Sequence, residues 1–353
     1  MTSSRPLLHR CHNALHLIWN ALRLGLLCAF AALLPAHAAE WRASTPADQA
    51  LDAAAFAPVE AALQQQFSDV QSAVIVQRGR VVFQYYRDGA AGQLRDVQSV
   101  AKSALSALVG IALGQGHIAS LDQPVVALLP DWKALNPDPR AQAITVRHLL
   151  TMSTGFEVND PRGTAAAGSA AAAWARPLHH APGESFAYDN AVMPLLTALL
   201  EKVTGMPLAD YARVQLVEPL AMSAPTYQRG LHLRTLDMAR LGQLSLNAGA
   251  WDGQQIVPTA FASAATQRQN AGGPPVAMPY GYLWWIVPSR GPGKIFMASG
   301  YGGQLIWVHE ALKLVVAVTA AATPDSQRRG HTVQLLQNKI VPAALQRAAQ
   351  SPP

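Results

Sequence analysis

Two short, mostly apolar runs lie in the first third of the chain, separated by two polar or small residues. The stretch "SAVIVQRGRVVFQYYRDG" (72–89) has β-branched and aromatic residues on both sides of Arg78–Gly79. Runs of this length around a two-residue turn are typical of a β-hairpin. The following stretch, 99–113, is apolar on all sides, which predicts a buried helix, and Gly114 and Gly116 end it.

Helical patterns fill the middle of the chain, and strand patterns return towards its end. Residues 120–225 are mostly helical in pattern, and "DNAVMPLLTALLEKVTG" (189–205) is the clearest helix, stopped by Gly205. The low-complexity stretch "TAAAGSAAAAW" (164–174) indicates a small-residue helix or a loop. The late elements are strands at 280–288, 294–300, 303–309 and 313–321, and a final helix at 326–347.

This order of elements predicts an α+β fold. Strands at both ends of the mature chain form an antiparallel sheet flanked by helices, and a mostly helical subdomain is inserted between them. We expect residues 39–120 and 226–353 to form the discontinuous sheet domain and residues 121–225 to form the helical subdomain.

The first 38 residues have the pattern of a signal peptide. Three arginines precede or interrupt an apolar run, Leu24–Leu34, and the small-residue signal Ala36–His37–Ala38 follows. We expect cleavage near Ala38/Ala39 and a periplasmic or secreted protein. After cleavage no stable membrane insertion is expected; an uncleaved anchor is the alternative, although Arg23 interrupts the longer apolar span.

Cysteines and charge narrow the partner classes. Both cysteines, Cys11 and Cys28, lie in the leader, so the mature chain is expected to have no disulfide. The net charge of +6 comes partly from the three leader arginines. Without these three, the chain has 24 of its 27 lysine and arginine residues and 21 acidic residues. There is no run of like charge and no interleaving of basic with aromatic residues, so we expect no nucleic-acid partner.

Ser99-Val100-Ala101-Lys102 carries the first candidate chemistry. Residues three apart share a helix face, so the Lys102 amine can reach the Ser99 hydroxyl. Burial and the positive end of the helix dipole both lower the pKa of a lysine, and a neutral amine can accept the serine proton. The alternative is a lysine at the rim of a buried helix, with its stem packed and its amine in water.

Two further groups can complete such a site. In Tyr188-Asp189-Asn190, the phenol could shuttle the Ser99 proton to a leaving group, and Asn190 could hold both Lys102 and a substrate carbonyl. Alternatively, Asp189 or Asn190 caps the next helix. The glycines of "SGYGG" (299–303) could leave backbone N–H groups available to bind the acyl oxygen of a substrate. Alternatively, they form a plain hairpin turn.

In this order the three elements resemble the serine β-lactamase and penicillin-recognising superfamily. The resemblance is nearer to the class C branch, which includes D-Ala-D-Ala carboxypeptidases, β-lactamase-type esterases and 6-aminohexanoate oligomer hydrolases, and it covers nearly all of the mature chain. The supporting stretches are 146–156, 182–190, 199–222, 236–258 and 280–286.

The resemblance implies a β-lactamase/transpeptidase-like fold with the site in its cleft. It also implies roles for individual residues. These are Ser99 as the nucleophile, Lys102 as its activator, Tyr188 as the general acid/base, Asn190, Ser299, Gly300 and Tyr301 as substrate-binding residues, and the backbone N–H groups of Ser99 and Tyr301 as the oxyanion hole.

The chain departs from the family pattern at the third element. Ala298-Ser299-Gly300 stands where relatives have Lys-Thr-Gly, or His in place of Lys. That cation helps to receive a substrate carboxylate, and a charge-assisted contact is worth ~1.5–3 kcal/mol. Lys294 lies four residues earlier, at a greater distance. The departure favours the esterases and aminohexanoate hydrolases over an efficient β-lactamase.

The sequence therefore predicts an exported serine hydrolase that cleaves a small amide or ester through an acyl-enzyme on Ser99. No cofactor is expected, and no metal, because His179–His180 has no third ligand at zinc spacing. The alternatives are a D-Ala-D-Ala carboxypeptidase, a class C-type β-lactamase, or a non-catalytic sensor of cell-wall peptides on the same fold.

Overall fold

The structure, a computed structural model, describes residues 45–159 and 168–350. The predicted signal peptide with Cys11 and Cys28, the expected cleavage site near Ala38, and the start of the low-complexity stretch at 164–174 lie outside the described residues. Within that stretch the structure has a short helix at Ala170–Trp174.

An eight-stranded antiparallel sheet forms the centre, in the order β2-β1-β12-β11-β10-β9-β8-β7. Two small two-stranded sheets, β3-β4 and β5-β6, lie outside it. The strands are β1 Val70–Gln77, β2 Arg80–Tyr86, β3 Arg95–Asp96, β4 His232–Leu233, β5 Ala250–Trp251, β6 Gln254–Gln255, β7 Asn270–Gly273, β8 Met278–Tyr280, β9 Trp285–Ile286, β10 Ile295–Gly300, β11 Gln304–His309 and β12 Leu314–Ala320. The antiparallel sheet built from both ends confirms the predicted α+β fold.

Helices cover the sheet and fill the described part of the chain between β3 and β4. The α-helices are α1 Pro46–Gln65, α2 Ala101–Gly114, α3 Val125–Leu128, α4 Val146–Leu150, α5 Ala170–Trp174, α6 Val192–Thr204, α7 Leu208–Ala212, α8 Thr235–Leu246, α9 Thr259–Ala265, α10 Pro324–Arg329, α11 His331–Leu335 and α12 Val341–Gln350. Short 3₁₀ segments span Gln98–Val100, Pro130–Ala134 and Pro139–Ala143, and π-helical turns span Arg213–Val217 and Leu336–Ile340. The division into two domains at residues 121 and 225 stays a prediction.

The middle strands are buried on both faces, so their sequences are apolar throughout rather than alternating. Every residue of β12 is buried, and so are all but one of β1. Helix α8 packs against β1, β11 and β12. Gly242 allows this close approach, because a Cβ there would lie 2.5 Å from Cγ1 of Val315 and 2.8 Å from Cγ2 of Ile306.

Helix α1 was not predicted, although the sequence carries signals for it. Thr45 and Asp48 form a capping box at its start, and Phe56, Val59 and Leu63 place an apolar stripe on one side. The helix packs against α12 from the other end of the chain. The two terminal helices therefore share one layer.

The predicted single strand at 280–288 is wrong. Leu283 has a positive φ of 58°, and the Gly281 N–H donates to the Trp284 carbonyl at 2.8 Å, so a tight turn separates β8 from β9. The turn is held from two sides: the Leu283 N–H donates to the Leu150 carbonyl, and the Ser103 hydroxyl donates to the Leu283 carbonyl at 2.7 Å.

The predicted final helix at 326–347 is instead a series of helical segments from residue 324 to residue 350. Gly330, with a φ of 61°, separates α10 from α11, and a π-helical turn precedes α12. By contrast, the hairpin turn at Arg78–Gly79 and the end of α6 at Gly205 are confirmed.

Among the described residues, no single helix has the length and apolar composition to cross a membrane. One bent pair of described helical segments, Val192–Thr204 with Leu208–Val217 at 77°, meets those criteria together.

Candidate active site

A strained turn presents Ser99 at the start of α2. The preceding residue, Gln98, is held at a φ of 50°, in the left-handed region that non-glycine residues rarely adopt. Asp96 fixes this turn: its carboxylate accepts from the Gln98 backbone N–H at 2.8 Å and from the Gln98 side-chain amide at 2.5 Å. Asp96 could not be identified from the sequence, because its role depends on a backbone conformation that residue spacing does not reveal.

Lys102 lies one turn after Ser99 and connects it to a second element. Its Nζ lies 2.9 Å from Ser99 Oγ and donates to Asn190 Oδ1 at 2.7 Å. The side chain is buried, so the alternative of a rim lysine with its amine in water is wrong. Burial lowers the pKa of Lys102 to about 7, against a smaller opposing effect of the Asp189 charge.

Tyr188 reaches Ser99 from the opposite side. Its phenol interacts with the Ser99 side chain, and its ring centroid lies 4.9 Å from Lys102 Nζ. Burial raises the pKa of Tyr188 to about 12, and the interaction with Ser99 opposes this rise. The ring stacks on Trp285 with centroids 5.6 Å apart, and Trp285 packs in turn against Tyr280. These two aromatic residues hold the phenol in place.

Asp189 fixes the loop before α6, and the neighbouring Asn190 accepts a hydrogen bond from Lys102. One Asp189 oxygen accepts from the Ala191 N–H at 2.9 Å, and the other pairs with Arg176 at 2.5 Å. The N-cap residue of α6 is Ala191, with no side-chain hydrogen bond to the helix. The alternative of an Asp189 or Asn190 N-cap is therefore wrong for both residues.

The third predicted element lies beside the Ser99 turn and only partly in the cavity. Gly300 ends β10, and a Cβ there would come within 2.8 Å of the Val97 carbonyl oxygen, so glycine lets the strand approach the turn. Tyr301 lines the same cavity as Ser99, whereas Ser299 and Gly300 do not line it.

The β10 position at which the family resemblance places a cation holds an alanine in this protein. Ala298 is buried in the strand and paired with Ile306 of β11. Lys294 lies before the strand, and its Nζ is 3.4 Å from the Thr266 hydroxyl.

A cavity of about 920 Å³ opens onto this group. Ser99, Lys102, Asn190 and Tyr301 line one part of it, and mostly apolar residues line the rest. Within residues 45–159 and 168–350, no group of three or more His, Cys, Asp or Glu side chains is arranged to hold a metal ion. The rings of His179 and His180 lie beside each other, with centroids 5.0 Å apart.

The family model for Beta-lactamase matches residues 49–339, which is most of the chain. The chain belongs to the β-lactamase family. As a member of this family with hydrolase relatives, it is a serine hydrolase, and its fold is β-lactamase/transpeptidase-like.

Three proteins are similar to this chain in sequence or in fold. An uncharacterized protein of Alkalihalophilus pseudofirmus, BpOF4_21049, is 25% identical over 304 residues, 72% of this chain and 85% of its own. The esterase EstB of Burkholderia gladioli is 27% identical over 177 residues, covering 42% of this chain and 45% of EstB. A Bacillus anthracis protein, provisionally named a 6-aminohexanoate-dimer hydrolase, superposes with a TM-score of 0.65 at 21% identity, covering 82% of each chain.

Proposed function

We propose that this protein hydrolyses a small ester or amide through an acyl-enzyme on Ser99. One observation carries the proposal: a buried amine, with a pKa of about 7, lies 2.9 Å from the Ser99 hydroxyl. At pH 7 about half of the molecules then have a neutral Lys102 that can accept a proton. A serine on a surface helix would have no such base beside it.

The same contacts suggest an order of proton transfers. Lys102 takes the Ser99 proton as Oγ attacks the substrate carbonyl carbon. Tyr188, protonated because its pKa is about 12, gives its phenolic proton to the departing oxygen or nitrogen, and the Lys102 ammonium returns a proton to the phenolate. Water then cleaves the acyl-enzyme by the reverse route. Asn190 holds Lys102 in place throughout.

We assign the oxyanion hole to the backbone N–H groups of Ser99 and Tyr301. Both residues line the cavity, and Ser99 lies at the N-terminal end of α2, where N–H groups point away from the helix. The helix dipole there favours the negative oxygen of a tetrahedral intermediate.

Ester and small amide substrates fit the absence of a cation at Ala298. A buried alanine cannot form the charge-assisted contact that a substrate carboxylate needs. The names of the relatives, an esterase and an aminohexanoate-dimer hydrolase, support the same two bond types. The predicted leader further suggests that the protein acts outside the cytoplasm on a small molecule.

The test is the Ser99→Ala variant, assayed on p-nitrophenyl acetate and labelled with a fluorophosphonate. We expect both turnover and labelling to vanish while circular dichroism and the melting temperature stay close to those of the wild type. Ser106→Ala is the matched control, because it removes a buried hydroxyl from the same helix without touching the Ser99 cavity. Full activity of Ser99→Ala would refute the proposal.

A substrate panel separates the alternatives within the family. Nitrocefin, a D-Ala-D-Ala peptide, p-nitrophenyl acetate and the 6-aminohexanoate dimer are assayed side by side with the wild-type protein. Turnover of the ester or the dimer supports the proposal. Preferential turnover of the D-Ala-D-Ala peptide or nitrocefin would favour a carboxypeptidase or a β-lactamase, and phosphonate labelling without any turnover would favour a sensor.

A further inference from the structure

The cavity beside Ser99 is much larger than an acetyl group requires. Its volume of about 920 Å³ lies near the upper end of small-molecule sites, which are ~300–1,000 Å³. Its walls come from α2, α6, α7, the following π-helical turn and α8. The apolar wall residues are Leu105, Leu108, Met193, Leu208, Ala212, Leu216, Val217, Met222 and Leu241.

The apolar residues follow helical spacing, so they form continuous surfaces. Ala101, Ala104, Leu105 and Leu108 line the cavity along one side of α2, beginning two residues after Ser99. Leu208, Ala212 and Leu216 recur every four residues across α7 and the π-helical turn. Facing surfaces of this kind exclude water and can take a flexible hydrocarbon chain.

The polar lining residues lie where the cavity meets solvent or the reacting atoms. Tyr227 and Arg229 belong to an exposed segment before β4, and Asp96 and Gln98 form the turn at Ser99. Asn190 and Lys102 bind each other. Apolar side chains therefore line the interior of the cavity between the helices.

The position of Tyr188 indicates which half of the substrate enters. Asn190, Lys102 and Ser99 line the cavity, but Tyr188 does not. In the proposed mechanism the leaving group departs next to this phenol, which is not part of the cavity lining. The part that stays bonded to Ser99 then lies on the cavity side.

We propose that this cavity binds the apolar acyl chain of the substrate, so that the protein prefers medium-chain acyl esters or amides to acetyl ones. The inference rests on the proposed function, because it assumes acylation of Ser99. Each methylene buried from water contributes a transfer free energy that corresponds to about fourfold in binding. We therefore expect kcat/KM to rise steeply with acyl length until the cavity is filled.

The test is a series of p-nitrophenyl esters from acetate through butyrate and hexanoate to octanoate, each below its critical micelle concentration. We expect kcat/KM to increase at least tenfold from acetate to hexanoate. A second series, acetate esters of alcohols of increasing length, should show no comparable rise. A flat acyl series, or a steep rise confined to the alcohol series, would overturn the inference.

A filling variant tests the location of the chain. Ala212→Phe places a ring among the α7 and α2 side chains, and we expect it to lower the octanoate-to-acetate ratio of kcat/KM at least tenfold. Ala209→Phe is the matched control on the exposed side of the same helix and should leave the ratio unchanged. An unchanged ratio in Ala212→Phe would place the chain elsewhere.

The outcomes of the two proposals are distinguishable. Active sites are counted by phosphonate titration, so each kcat refers to folded sites only, and the wild-type series needs no variant at all. Acetate turnover that depends on Ser99, with a flat acyl series, refutes the acyl-chain inference alone. Acetate and octanoate turnover that persists in Ser99→Ala refutes the proposed function instead.

Discussion

Burial shifts the pKa values of the two groups around Ser99 in opposite directions. The pKa of Lys102 falls to about 7 and that of Tyr188 rises to about 12. The cause is the same, because loss of water disfavours the charged form, which is the protonated lysine and the deprotonated tyrosine. Near neutral pH a proton acceptor and a proton donor therefore flank one hydroxyl.

This arrangement predicts the pH dependence of turnover. Only the neutral amine of Lys102 can accept the Ser99 proton, so kcat/KM on a neutral ester should rise with pH and reach half its plateau near pH 7. No falling limb is expected below about pH 10, because Tyr188 stays protonated there. A pH-rate profile with an uncharged substrate measures this, and a profile that is flat between pH 5 and pH 9 would contradict it.

The buried lysine should also lower the stability of the protein. At pH 7 the unfolded chain holds a proton on Lys102 that the folded protein partly releases, so stability falls as pH drops from about 10 towards 7. Lys102→Met removes this cost, and we expect it to raise the free energy of unfolding at pH 7 by about 2 kcal/mol. This gain is smaller than the pKa shift alone implies, because the variant also loses the two hydrogen bonds of the amine. Turnover should vanish.

Urea unfolding of both proteins at several pH values checks this expectation. The stability difference should shrink as pH rises to 10, because the unfolded wild-type chain then loses the same proton. A difference that is constant with pH would mean that packing, rather than the charge of Lys102, accounts for it.

At the scale of elements, the position of α8 depends on the lack of a side chain at Gly242. A Cβ there would lie 2.5 Å from Val315 and would push the helix away from β11 and β12. We expect Gly242→Ala to destabilise the protein by ~1–3 kcal/mol, as overpacked cores do.

Gly92→Ala serves as the control for Gly242→Ala in chemical denaturation. Gly92 is exposed, and no atom lies within 4 Å of a Cβ built there, so its change should stay within about 0.5 kcal/mol. Equal effects of the two substitutions would show that α8 adjusts without cost.

Elements with a regular pattern of buried residues were predictable from the sequence. Turns that depend on an unusual backbone conformation were not. The hairpin β1–β2, helix α2 and the strands β10 to β12 follow from apolar runs and glycine stops. The turn at Leu283 interrupts an apolar run because tertiary hydrogen bonds from Ser103 and Leu150 hold it, and such bonds leave no local signal.

The same distinction applies to the site. The Ser99–Lys102 contact follows from a three-residue spacing on one helix. Tyr188 and Asn190 lie 86 and 88 residues after Lys102 in the chain, so residue spacing alone could not bring them to Lys102, and only their chemistry and the family resemblance suggested that they meet. The supporting contacts of Asp96 with Gln98, and of Trp285 with Tyr188, required the fold itself.

At the scale of the whole molecule, a buried ion pair joins the two ends of the described chain. Asp52 of α1 and Arg347 of α12 are hydrogen-bonded to each other, and both are about 95% buried. A second contact reaches the sheet, where the Gln77 side-chain amide donates to the Ala344 carbonyl at 3.1 Å.

Removing one partner of this pair should therefore be costly. Arg347→Met removes a charged partner of the buried Asp52 carboxylate, and we expect a loss of ~3–5 kcal/mol. Arg328→Met breaks an exposed ion pair with Asp325 and should change stability by less than about 1 kcal/mol. Thermal and urea unfolding of the two variants, together with the double variant Asp52→Leu/Arg347→Met, measure the difference. A small effect of Arg347→Met would show that water replaces the lost partner.

The pairing of β1 with β12 has a consequence for biosynthesis. The hairpin β1–β2 emerges early from the ribosome, but the other neighbour of β1 is β12, the last strand among the described residues. The Ser99 turn also packs against β10 and β11, which are made late. Contacts so distant along the chain form slowly. A nascent or truncated polypeptide that lacks β10 to β12 should consequently not hold the Ser99 turn in place, and the proposed activity should arise only after these strands have been made.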